Sequence, residues 1–93
     1  MNKINIPNYA KKNAEKGLNG SGYGTDKGRQ RARYLLDRDR MTERVAEDAQ
    51  SFLNRFHGMA KEHGYTRNIS GALNLWGGQK DKRFLKYLDR KLD

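Results

Sequence analysis

The chain has no cysteine, a single proline and no run of even five apolar residues. Without cysteine there is no disulfide and no thiolate metal site. Small secreted scaffolds usually need such staples, so the cytoplasm is the expected compartment. Without a long apolar run no membrane span is expected, and Met1–Ala10 lacks the apolar centre of a cleaved signal peptide. Acidic groups are also scarce, 11 against 20 lysines and arginines, which leaves a net charge of +9. With 93 residues, 34% of them apolar, the chain suffices for one domain with a thin core.

Catalytic constellations are missing as well. His57 and His63 lie six residues apart, about 240° around a helix axis, so they share no face. Lacking cysteine partners, they make a poor metal pair. His63 suits the negative end of a helix dipole, and His57 is expected at the surface. Ser51 has no histidine at helical contact spacing. Asp37 and Asp39 sit among arginines and read as solvated. No acid–base pair stands out, so neither enzyme activity nor a cofactor or metal is expected.

The stretch Thr42–Gly64 dominates what is present. Val45, Ala49, Phe52, Phe56, Met59 and His63 recur at steps of four and three, and Ala46, Leu53 and Ala60 widen the stripe. Thr42 is placed to cap this helix, with Glu43, Glu47 and Asp48 towards its positive end. Gly64 stands where a helix-ending residue with positive φ belongs, and Tyr65 is placed to fold back on Met59 or Ala60.

Charge is segregated around this nearly neutral helix. Residues 1–40 carry ten basic and four acidic groups, residues 41–65 three and four, and residues 66–93 seven and three. Basic flanks around a neutral centre point to a polyanionic partner, either nucleic acid or an acidic protein surface.

Residues 1–28 read as a flexible, basic, glycine-rich arm and 29–93 as the helical domain. Within the arm, Asn8–Lys16 has only Tyr9, Ala10 and Ala14 as apolar members, too few to hold more than a short turn unaided. Gly17–Gly28 holds five glycines in twelve residues and reads as a hinge. It is no phosphate-binding loop of the Walker type, because Gly24 is followed by Thr25 and Asp26 where that loop needs lysine and a hydroxyl residue. Its amides and Tyr23 remain available to a nucleic-acid backbone or base.

Thr25 offers an N-cap for a helix that runs to Arg40. Ala32, Leu35 and Leu36 lie on one face, and Arg29, Arg33 and Asp37 near the other. Arg33–Asp37 has ion-pair spacing, whereas Arg29 and Arg31 have fewer acidic neighbours. The apolar seam of the central helix extends back through Met41 and Arg38 to Tyr34. Two helices with a break near Asp39–Thr42 are expected on grounds of length. One long helix would instead call for a homodimer through the 45–63 stripe.

After a turn at Tyr65–Asn68, Ser70 is placed to cap a short helix with Ala72, Leu73, Leu75 and Trp76, closed by Gly77 and Gly78. Trp76 is expected to plug the core against Phe52 and Phe56, with base stacking as its alternative role. Gln79–Asp93 reads as an amphipathic helix with Phe84, Leu85, Leu88 and Leu92 inward, and Asp81 near its start. No stretch alternates over four or more β-favouring residues, so strands are not expected.

The fold expected is all-α, with three to five helices and the basic arm. The function expected is non-enzymatic binding of DNA or RNA through phosphates, with Lys11, Lys12, Lys27, Arg29, Arg31, Arg33, Lys80, Lys82 and Arg83 as candidate contacts. Docking on a host protein or nucleoprotein complex is the alternative, a habit of many small basic phage and mobile-element proteins. The run NYAKKNAEK followed by GSGYGT, residues 8–16 and 20–25, resembles the amino-terminal arms of some phage-type integrases. That resemblance implies a recombination or DNA-architectural accessory domain. The later spacing departs from that pattern, and a catalytic recombinase domain does not fit this length.

Overall fold

The computed structural model describes residues 3–20 and 25–93. Among these residues the chain forms β1 (Lys3–Asn5), α1 (Asn8–Asn19), α2 (Asp26–Asp37), β2 (Arg40–Thr42), α3 (Glu43–His63), α4 (Arg67–Leu75) and α5 (Arg83–Leu92). The small all-α domain expected is thus the one observed, with five helices.

Each helix start has a local cause. Thr25, Thr42 and Thr66 each accept a hydrogen bond from the amide three residues on, which satisfies one orphan donor of the first turn. Thr66, not Ser70, therefore opens α4, and Ser70 lies within the helix. In α5 the cap comes from one residue further back, where the Asp81 carboxylate accepts from the Arg83 amide at 2.9 Å. Gly64 ends α3 with φ +78°, as its position required.

Two strands form where none was expected. β1 and β2 pair antiparallel, Lys3 with Thr42, Ile4 with Met41 and Asn5 with Arg40. The Ile6 amide extends the ladder to the Asp39 carbonyl at 2.9 Å. Ile4 and Met41 point into the core, while Lys3, Asn5, Arg40 and Thr42 face out. Each strand is three residues long, too short for alternation to register, and the partner lies far along the chain. This pairing also decides the helix break. Met41 is drawn into the core in an extended conformation, and α2 and α3 stay separate.

The segment set apart as an arm holds, where described, β1, α1 and the start of α2. α1 packs on α4 and α2. Its inward face is Ala10, Asn13, Ala14 and Gly17, a helical spacing built almost wholly of small residues. Such a face buries little apolar area but lets backbones approach closely. A Cβ on Gly17 would sit 2.7 Å from the Leu75 backbone nitrogen. Asn13 adds a buried hydrogen bond from Nδ2 to the Gly77 carbonyl at 3.0 Å. The partner that Asn8–Lys16 needed is the domain itself. The glycine-rich residues 21–24, with Tyr23, lie outside the described residues.

α3 packs on α5 and α4. Its buried seam is Val45, Ala46, Ala49, Leu53, His57 and Ala60, so the helix is rotated from the stripe that periodicity picked out. Phe52 and Phe56 are half-buried at the edge of this seam, and Met59 and His63 are exposed. His57, expected at the surface, is 4% exposed. Tyr65 folds back onto it, and the Tyr65 hydroxyl lies 2.8 Å from Nδ1. Among the described residues no helix is long and apolar enough to cross a membrane.

Candidate functional site

An open groove of about 350 Å³ lies where the first turn of α2 meets the outer edge of α3. Thr25 and Lys27 come from α2 and its cap, Asp48, Ser51, Phe52, Arg55 and Phe56 from α3, and Trp76 from the end of α4.

Aromatic rings form its floor. Trp76, Phe52 and Phe56 make a continuous stack. Phe52 lies 4.3 Å from Trp76 at 12° and 4.1 Å from Phe56 at 15°. The four-residue spacing of Phe52 and Phe56 puts the two rings on one helix face. Trp76 stops α4 and swings under that face, as the core role expected of it requires. It is 4% exposed and its ring is already covered by Phe52, so it is not itself a base-stacking platform. Phe56, at the outer end of the stack, holds that position.

Cations surround the floor. The Arg55 guanidinium lies 5.5 Å from the Phe52 centroid and 5.7 Å from that of Phe56, within cation–π range. Lys27 stands exposed in the first turn of α2. Arg31, one helical turn further on, donates from Nη2 to Asp48 Oδ2 at 3.3 Å, with its guanidinium 5.5 Å from the Trp76 ring. Lys27 and Arg55 thus line the groove with one carboxylate, Asp48, which is already paired to Arg31. Arg31, expected to have few acidic neighbours along the chain, finds one on α3 that is 17 residues away.

The other candidate contacts disperse. Arg29 is half-buried and Arg33 exposed on α2; Lys12 is exposed on α1. Lys11 is structural in its geometry. Its ammonium donates to the Leu36 carbonyl at 3.4 Å and to the Arg38 carbonyl, and lies 3.8 Å from Asp39. It thereby satisfies carbonyls left open at the end of α2. Lys80 and Lys82 belong to the turn before α5, and Lys80 lies 5.9 Å from the Tyr65 ring. Arg83 stacks over Tyr9 at 4.0 Å. Arg33 and Asp37 form no ion pair in this structure. Of the nine, only Lys27 therefore lines the groove, with Arg31 reaching it through Asp48, and the groove adds Arg55, Asp48, Ser51 and Thr25. Phe52 and Phe56 were visible in the sequence as core. The displacement of both rings to the rim depends on how α3 is rotated, which no local signal gave.

Titration elsewhere follows burial and, at Asp81, a backbone hydrogen bond. The His57 pKa is lowered, chiefly because burial disfavours the imidazolium and secondly by Lys82, with Asp81 opposing. Asp81 is held below the ordinary carboxylate value, mainly by the Arg83 amide it accepts from. Burial raises Tyr9 and Tyr87. None of these groups lines the groove. Among the described residues no three histidine or carboxylate side chains gather as a metal site. Comparison with known protein families, curated proteins and solved structures finds no match, so the functional reading rests on geometry and charge alone.

Proposed function

We propose that this protein is a non-enzymatic nucleic-acid-binding module that grips the phosphate backbone at the groove between α2 and α3. The observation that carries the reading is that Lys27 and Arg55 line one open depression, with Arg31 behind it paired to Asp48, in a chain with net charge +9. The two lining cations, Lys27 and Arg55, are exposed and make no ion pair among the described residues, so their charge is available to a ligand. The first turn of α2 adds backbone amides and the positive end of a helix dipole. Such contacts are largely independent of sequence.

A salt titration of binding to labelled nucleic acid tests this. Each phosphate contact contributes about −0.9 to the log–log slope on duplex DNA and about −0.7 on single strands. The Lys27→Glu/Arg55→Glu variant is expected to lose at least about tenfold in affinity at low salt and to flatten the slope by about two contacts. An unchanged slope and affinity in that variant would remove the groove from the reading. Weak binding that disappears at physiological salt would turn the search to an acidic protein surface.

A further inference from the structure

We infer that the groove takes single-stranded nucleic acid, with an unpaired base lying against Phe56 and its phosphates held at the mouth by Lys27 and Arg55. The inference rests on the nucleic-acid reading above and names the substrate class for the same site.

The aromatic floor is the first support. Phe56 ends a stack of three rings and is half-exposed where the groove opens. A base presents a flat π-face of similar size and continues the ladder there, a contact open to any base. Trp76 behind Phe52 fixes the ladder in place, so little order has to be imposed on binding.

The charge layout is the second. Lys27 and Arg55 are exposed, while Asp48 is partly covered and tied to Arg31 at 3.3 Å. A phosphate pushed inward would meet the Asp48 carboxylate. A base amino group there would donate to it. The arrangement favours base inward and phosphate outward. A duplex cannot adopt that orientation, because its bases are already stacked and paired. The volume, about 350 Å³, lies at the small end of ligand pockets and fits one nucleotide better than a groove-wide helix.

Trp76 is the only tryptophan and reports directly on the stack. Its fluorescence, together with anisotropy, is followed with three probes of equal length: a mixed-sequence single strand, an abasic deoxyribose-phosphate strand, and a blunt duplex. The single strand is expected to bind about tenfold more tightly than the abasic strand and to quench Trp76. Phe56→Leu is expected to erase that difference while keeping the salt slope, and Phe56→Tyr to restore it. If the abasic strand binds as well as the single strand, or the duplex binds best, this inference falls and the backbone-binding reading stands. If none of the three probes binds, both fall. Should Phe56→Leu fail to fold, the comparison of probes on the unaltered protein still decides.

Discussion

Arg31 on α2 and Asp48 on α3 are joined across the two helices, Nη2 to Oδ2 at 3.3 Å, with the guanidinium also 5.5 Å from the Trp76 ring. This one side chain links the groove's charge to its aromatic floor. It is also one of the few ties between α2 and α3, which meet chiefly through α4.

Replacing Arg31 is therefore expected to be a stability change as much as a binding change. Arg31→Ala removes a largely buried stem from Trp76 and leaves Asp48 unpaired, at a cost of about 1–2 kcal/mol. Asp48→Asn keeps the stem and is expected to cost less, about 0.5 kcal/mol, since Asp48 is nearly half-exposed. Urea unfolding of both variants checks the order. Equal effects would mean that the ion pair, and not the packing, carries the contribution.

Two glycines are expected to respond in opposite directions to alanine. At Gly17 the added methyl meets the Leu75 and Asn74 backbone at 2.7 and 3.0 Å, so α1 and α4 must separate. Overpacking of that kind costs about 2–3 kcal/mol. At Gly58, within α3, the methyl meets nothing within 4 Å. Alanine there is expected to stabilise by about 0.5–1 kcal/mol through helix propensity. Thermal melts of the two variants test whether α1 is a packed element of the domain.

His57 makes stability depend on pH. Its folded pKa lies below the ordinary 6.5, chiefly through burial. The unfolded chain then binds the proton more readily. Stability is complete above the unfolded value of 6.5 and falls as pH drops through it towards the folded value. His57→Leu is expected to flatten this part of the profile, seen as urea midpoints measured either side of pH 6.5. Tyr65→Phe removes the hydroxyl 2.8 Å from Nδ1 and is expected to cost about 1 kcal/mol.

Lys11 separates structural charge from binding charge. Lys11→Met is expected to destabilise by about 0.5–1 kcal/mol through the lost carbonyl contacts at the end of α2 and to leave nucleic-acid affinity within about twofold. A large loss of affinity without loss of stability would place Lys11 in the interface instead.

The sequence by itself determined the helices with strong local signals. Thr25 and Thr42 announced their helices, Gly64 announced the end of α3, and the repeat of apolar residues made α3 certain to have a buried side. These signals are legible because they act within a few residues. The tertiary structure decided what depends on distant partners. The β1–β2 pairing joins residues at the two ends of the 3–42 stretch and breaks α2 from α3. The docking of α1 rests on small residues, whose value lies in close approach to a backbone that only the fold supplies. The rotation of α3 buried His57 and left Phe52 and Phe56 at the rim, because the helix stripe was wider than the surface available to cover it. The same docking turned Arg31 to Asp48 and brought Lys27 beside Arg55. A net positive charge could be counted in advance, but which cations share a groove is fixed only when the helices pack.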